Sequence, residues 1–304
     1  LDGDLDLFLL NHANKFYNTL INVKKLRSLR HPYYGNKLFE NIGNKFVEVS
    51  EGSGINGTGI NFGLSASISD LNNDGYPDIY VTNDYVEQDF CYINQQNGTF
   101  KDISKSAFGH LSKFSMGSDI ADLNNDQKPD VFVLDMLPED NYRQKVLKGP
   151  DQFNRERTLV DSGYHHQYMR NTLQLNRSVS ADSSLAFSEQ AQLSGVSNTD
   201  WSWAPLLADF DNDGLKDIFI TNGYLRDFSN LDFTNYTVNE AISQAQQSHS
   251  NVDIGLLVSK MSSTKVSNYV YKNKGEAQFV DKTSEWGIEK KTVSNAAAYA
   301  DFDN

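Results

Sequence analysis

The chain has 304 residues, enough to bury a sizeable core as one large domain or two ordinary ones. Its formal net charge of -13 repels phosphate backbones and anionic membrane surfaces, so nucleic acid is excluded as an expected partner. Hydrophobic residues at 38% with 12% aromatics exclude a disordered acidic tail, and no run approaches the ~18 apolar residues of a membrane span, so no membrane insertion is expected.

The N-terminus, LDGDLDLFLL, alternates acids ahead of an apolar run and lacks the basic start of a secretory signal. The densest cationic run, KKLRSLRH (24 to 31), is short and reads as a solvated connector. Short apolar segments follow: LFEN (38 to 41), NKFVEVS (44 to 50) around Phe46, and SASIS (65 to 69). Then comes DLNNDGYPDIYVTN (70 to 83), which sets Asp70, Asn72, Asp74 and Asp78 at positions 1, 3, 5 and 9 of a loop that runs straight into a strand. Cys91 is the sole cysteine, so no internal disulfide, CxxC pair or thiolate zinc cluster forms, and it is expected to be a small buried side chain.

The pattern recurs. After YINQ (92 to 95), GTFKDIS (98 to 104) with Phe100, and GSDIA (117 to 121), a second loop, DLNNDQKPDVFVLD (122 to 135), carries Asp122, Asn124, Asp126 and Asp130 at the same positions. Residues 137 to 171 lose two-residue alternation and gain helical character. His165 and His166 lie there, and without an HExxH pair or a third ligand they read as packing or surface residues. Next come TLQLN (172 to 176), LAFSEQA (185 to 191) with Phe187, and the pair Trp201 and Trp203. The two rings are expected on opposite faces of a strand, one in the core and one free to stack on a sugar.

After PLLA (205 to 208), the third loop, DFDNDGLKDIFITN (209 to 222), carries Asp209, Asp211, Asp213 and Asp217. A second helical insertion spans 234 to 263: Thr237 with Glu240 fits a capping box, and Ser250 with Asp253 a second helix start. YVYKN (269 to 273), AQFVDKT (277 to 283) with Phe279, AAAYA (296 to 300) and DFDN (301 to 304) complete the series. In DFDN, Asp301 and Asp303 take positions 1 and 3; at the other end Asp2, Asp4 and Asp6 take positions 5, 7 and 9. Both ends cut through the repeat, so the chain reads as a fragment.

One unit is therefore strand, acidic loop, strand, turn, strand, turn, strand. Four short antiparallel strands per repeat predict an all-β fold, a β-propeller of about four four-stranded blades in a single region over 1 to 304, with short helical insertions near 137 to 171 and 234 to 263.

Carboxylates about 4 Å apart repel by roughly 1 kcal/mol per pair in water and about 4 kcal/mol at a partly shielded site, so three in one loop call for a cation. All-oxygen donors favour a hard ion, and a flexible loop with six or seven ligands suits Ca2+ better than octahedral magnesium. The expected ligands are the side chains at positions 1, 3, 5 and 9 with the position 7 carbonyl of Tyr76, Lys128 or Leu215. An EF-hand is excluded because position 12 holds Val81, Val133 or Ile220 where a bidentate Glu is needed. Gly75 and Gly214 stand at position 6; Gln127 replaces glycine in the middle loop at a cost of about 1 kcal/mol, so that loop is expected to bind most weakly.

These loops, the block NQQNGTFKDIS (94 to 104), and WSWAPLLADFDNDGLKDIFITNGYLRDF (201 to 228) resemble the FG-GAP/VCBS repeat family, most of all the bacterial group related to cartilage acidic protein, which often carries an ASPIC/UnbV domain. The resemblance implies an integrin-like β-propeller of seven or so blades with calcium in its loops, located outside the cell, at the cell surface or in the periplasm, with roles in adhesion or ligand binding. The expected function is a calcium-binding module for a protein or glycan ligand; the alternative is a secreted polysaccharide-processing enzyme with its site on the insertions. No GxSxG elbow and no glycine-rich phosphate loop is present.

Overall fold

The computed structural model describes residues 3–15, 23–149, 153–179 and 184–302, so Asp2 and Asp303 lie outside the described residues. Period-2 alternation builds four antiparallel sheets. The first has three strands, β1 (Leu7–Leu9), β2 (Lys37–Asn41) and β3 (Phe46–Glu48), in that order. The second orders β4 (Gly63–Ser69), β5 (Asp78–Asn83), β6 (Phe90–Asn94) and β7 (Phe100–Asp102). A short parallel pair joins β8 (Leu111–Ser112) to β11 (Gln167–Tyr168). The third sheet orders β9 (Ser118–Ala121), β10 (Asp130–Val133), β12 (Thr172–Asn176) and β13 (Phe187–Glu189). The fourth orders β14 (Ser202–Ala208), β15 (Asp217–Asn222), β16 (Tyr269–Asn273) and β17 (Phe279–Asp281).

The second strand of each complete sheet is apolar on both faces, and in the second and third sheets a neighbouring sheet covers each face. In β5, Ile79 and Val81 join Phe90, Tyr92, Phe8 and Leu38 of the first two sheets. Tyr80, on the opposite face, packs with Val131 and Val133 of β10. The alternate residues of β10 and its extension, Phe132 and Leu134, pack with Leu207, Ile218 and Ile220 of the fourth sheet. The second and third sheets thus each bury one face on the sheet before and one on the sheet after, while the first and fourth share a core with one neighbour. The five-residue block that starts at Phe works locally: Ser50, Ser104 and Thr283 accept the backbone N–H of Leu38, Cys91 and Val270, which closes the last strand of each sheet onto the one before it.

First strands of successive sheets run close together. Ser67 Oγ donates to Ser118 O at 3.0 Å, and Leu207 N–H donates to Asp119 Oδ2 at 2.9 Å. A Cβ on Gly117 would sit 2.2 Å from Trp203 O, so only glycine permits that approach.

Helix α1 (Val23–Ser28) lies between β1 and β2 of the first sheet, α2 (Ser104–Ala107) follows β7, and α3 (Asn141–Leu147) and α4 (Phe153–Asp161) fall between β10 and β11. Between β15 and β16, a π-helical stretch at Phe233–Val238 runs into α5 (Asn239–Gln247), followed by α6 (Ile254–Lys260). Thr237 lies inside the helical run, and Asn230 Oδ1 accepts the Phe233 N–H instead. The cap of α6 is Asp253, whose Oδ1 accepts the Leu256 N–H at 3.0 Å, and not Ser250. Residues 296–300 form no strand: elsewhere the first strand is held by the strand after its loop, and these residues lack that partner.

The cationic run is no mere connector. Arg27 makes a bidentate pair with the fully buried Glu87 and lies over the Tyr164 ring, while Arg30 donates to Ser50 O and Ile55 O. Guanidinium donors satisfy interior acceptors that the charge run alone does not reveal.

Trp201 and Trp203 share one side of their strand, rings stacked at 6.1 Å, because residues two apart project to the same face. Both are partly buried against the core between the third and fourth sheets.

Candidate metal-binding loops

The three complete loops have the same internal skeleton. Asp70 Oδ1 and Oδ2 accept the N–H groups of Asp74 and Gly75; Asp122 does the same for Asp126 and Gln127, and Asp209 for Asp213 and Gly214. At position 5, Asp74, Asp126 and Asp213 accept the N–H of Tyr76, Lys128 and Leu215. Position 3 contributes Asn72 and Asn124, each accepting the position 5 N–H at 3.2 Å. Position 6 needs the left-handed region, with φ of 85° at Gly75, 66° at Gln127 and 87° at Gly214, so Gln127 takes the strained conformation that glycine takes elsewhere.

Position 9 serves the scaffold. Asp78, Asp130 and Asp217 are each 0% exposed. Their Oδ2 atoms accept the N–H of Leu71, Leu123 and Phe210, and their Oδ1 atoms accept the N–H of Asn94, Asn176 and Asn273 at 2.8 Å. Asp6 repeats half of this, accepting the Asn41 N–H at 2.9 Å. Burial pushes the Asp78 and Asp130 carboxyls up to about 6, with the position 5 and position 1 acids adding repulsion, and burial raises Asp217 too, there with Asp211 and Asp213 adding repulsion.

Adjacent loops touch. Asn73, at position 4 with φ 57°, donates its amide to Gln127 O at 3.0 Å, and Asn125 donates to Gly214 O at 3.1 Å. These asparagines, like the Asn that ends each third strand, escape a search for metal-ligand spacing, although their recurrence at fixed offsets was open to view.

In the third loop, one carboxylate oxygen each from Asp209, Asp211 and Asp217 lie within 4.8 Å of one another; among the described residues this is the one such acidic, His or Cys group. At the same positions 1, 3 and 9 the first and second loops, with Asn at position 3, present two acids beside an amide. Asp74 is held below the usual carboxylate range: burial opposes this, but hydrogen bonds from Gln96, the Tyr76 N–H and Asn72 outweigh it. An oxygen-only donor set of this kind suits a hard cation. Tyr76, Lys128 and Leu215 occupy position 7 in all three turns, and Lys128 Nζ lies 3.8 Å from Asp126 Oδ2. Asp4 and Asp301 belong to the incomplete loops at either end.

His165 Nε2 contacts Phe108 O at 2.8 Å and His166 pairs with Glu156 at 3.3 Å, so neither histidine joins the loops.

Stacked antiparallel sheets, the three four-stranded ones each with an Asp/Asn loop between first and second strands, define a β-repeat protein with acidic turns. The family described as the FG-GAP-like repeat matches residues 1–81 and, overlapping them, 70–133, so this part of the chain is similar to that repeat. No curated protein matches the chain. Among the described residues no helix is long and apolar enough to cross a membrane.

Proposed function

We propose that the sheets are blades of a β-propeller whose loops bind Ca2+, and that the chain acts outside the cell, at the cell surface or in the periplasm, as a module binding a protein or glycan ligand. The observation that carries the calcium reading is the threefold recurrence of one oxygen-lined turn around a buried acid that burial and its neighbours drive towards protonation. A divalent ion removes that repulsion. Asp70, Asn72, Asp74 and Asp78 with the Tyr76 carbonyl hold it in the first complete loop; Asp122, Asn124, Asp126, Asp130 and Lys128 in the second; Asp209, Asp211, Asp213, Asp217 and Leu215 in the third. Millimolar calcium outside cells fits loops of this openness.

The ligand reading is supported by an aromatic cluster beside the second insertion. Trp201 lies 4.2 Å from Tyr224 and 5.2 Å from Phe228 between ring centroids, and Phe228 is 52% exposed. Tyr and Trp faces of this kind take sugar rings or side chains.

The test is calcium titration of the chain by calorimetry, with magnesium as control, followed by a glycan array with and without chelator. Calcium binding that magnesium does not reproduce supports the reading; a melting temperature indifferent to calcium removes it.

A further inference from the structure

The third loop differs from its neighbours in charge. Asp211 stands where Asn72 and Asn124 stand, so all four of its side-chain donors are carboxylates. One residue before Asn273 in β16 is Lys272; the equivalent residues before Asn94 and Asn176 are Ile93 and Leu175. The Lys272 amine donates to Asp211 and lies 2.8 Å from Asp213 Oδ2. The extra carboxylate and the extra cation therefore occur in the same unit and face each other. With Lys272 counted, the third loop carries the same net charge as the three carboxylates of the first.

We infer that Lys272 is a built-in counter-ion of the third loop, which a divalent cation must displace from Asp211 and Asp213 before it binds. The inference rests on the calcium reading above and concerns how that one loop is regulated. Asp211 and Asp213 offer the oxygens that a metal at positions 3 and 5 needs, and an ammonium held on both cannot remain beside a second cation. Without metal, Lys272 keeps the four acids of this loop together; with metal, it swings out along its flexible stem. The contact holds the Asp213 carboxyl below the usual range, mainly through the hydrogen bond from Lys272. Neither of the other complete loops has a lysine at this strand position, so the device belongs to one unit of the repeat.

The experiment uses the full chain with Asp74→Asn and Asp126→Asn, which quiet the first two loops while leaving an oxygen to accept the position 7 N–H. In that background Lys272→Ile, the residue found at the equivalent place in β6, is compared with Lys272→Arg and with Lys272→Ile combined with Asp211→Asn. Calcium alone is the probe, by calorimetry, and melting in chelator is the metal-free readout. Calcium binding by Lys272→Ile about threefold to tenfold tighter than the parent is expected, from release of one exposed pair. In chelator the same variant melts lower than the parent, and Lys272→Arg or the Asp211→Asn double variant recovers that loss. Affinity unchanged or weaker in Lys272→Ile, or an unchanged melting temperature in chelator, overturns the inference alone. No calcium binding in any variant, nor in the unsubstituted chain, overturns the calcium reading and the inference together.

Discussion

The side-chain amide of Asn176 donates to the backbone carbonyl of Leu71 at 2.9 Å, tying the third strand of one sheet to the acidic loop of the sheet before it. Asn273 makes the same bond to Leu123 at 2.8 Å. Both asparagines are almost fully buried, and each also carries its backbone N–H on the position 9 acid. Removing either side chain leaves a carbonyl without its donor. Asn176→Ala and Asn273→Ala are each expected to lose about 1–3 kcal/mol in urea unfolding. A loss below about 0.5 kcal/mol in both would show that the sheets hold together by apolar contact alone.

Position 9 serves the scaffold as well as the proposed ion, whereas position 5 serves the ion with little part in the scaffold. Asp130 accepts two N–H groups, and an amide in its place offers only one oxygen, so Asp130→Asn is expected to cost about 2 kcal/mol even in chelator. Asp126→Asn keeps its one acceptor bond to Lys128 and should leave metal-free stability within about 0.5 kcal/mol while weakening the calcium response. Thermal melts with and without calcium separate the two; equal metal-free losses would refute the division of labour.

Calcium itself should stabilise. At a hundred times its dissociation constant a ligand adds about 2.7 kcal/mol per site. For a chain of this size that corresponds to a rise of several degrees in melting temperature. Chelator reverses it.

A buried acid away from the loops sets the pH dependence. Asp89 is fully buried, and burial pushes its carboxyl up to about 7 despite hydrogen bonds from the Asn83 N–H, Ser115 and Tyr80. The folded pKa lies above the unfolded value, so the folded chain holds the extra proton between about pH 4 and 7. Its stabilisation is complete below pH 4 and is lost as pH rises through 7. Asp89→Asn, which cannot ionise, carries a constant cost for the acceptor oxygen it loses but should flatten that decline, so its stability relative to the parent rises by a few kcal/mol from about pH 4 to 7 in denaturant unfolding. Parallel curves for the two proteins would rule the effect out.

In the core, Phe132 is 0% exposed and packs towards the fourth sheet, so Phe132→Ala is expected to cost about 3–5 kcal/mol.

The repeat was legible because its two signals are local. Acids at fixed offsets and two-residue alternation need only the chain next to them, and the strands from Lys37–Asn41 to Phe279–Asp281 fall where those signals lie. Local signals also misled. Thr237 has the capping pattern, yet the helix begins upstream of it, because Asn230 captures the first free N–H groups. Trp201 and Trp203, two residues apart, stack on one face where opposite faces are expected, because alternation repeats every second residue.

The order of residues thus dictated the antiparallel unit, its oxygen-rich turn and its likeness to the FG-GAP-like repeat, since each depends on neighbours a few positions apart. Which sheet faces which, that Asp78, Asp130 and Asp217 are buried hubs, that Arg27 meets Glu87, and that Lys272 answers Asp211 were decided by folding. Those pairs join residues from well-separated parts of the chain, and only burial against a neighbouring sheet gives each buried polar atom one partner in place of water.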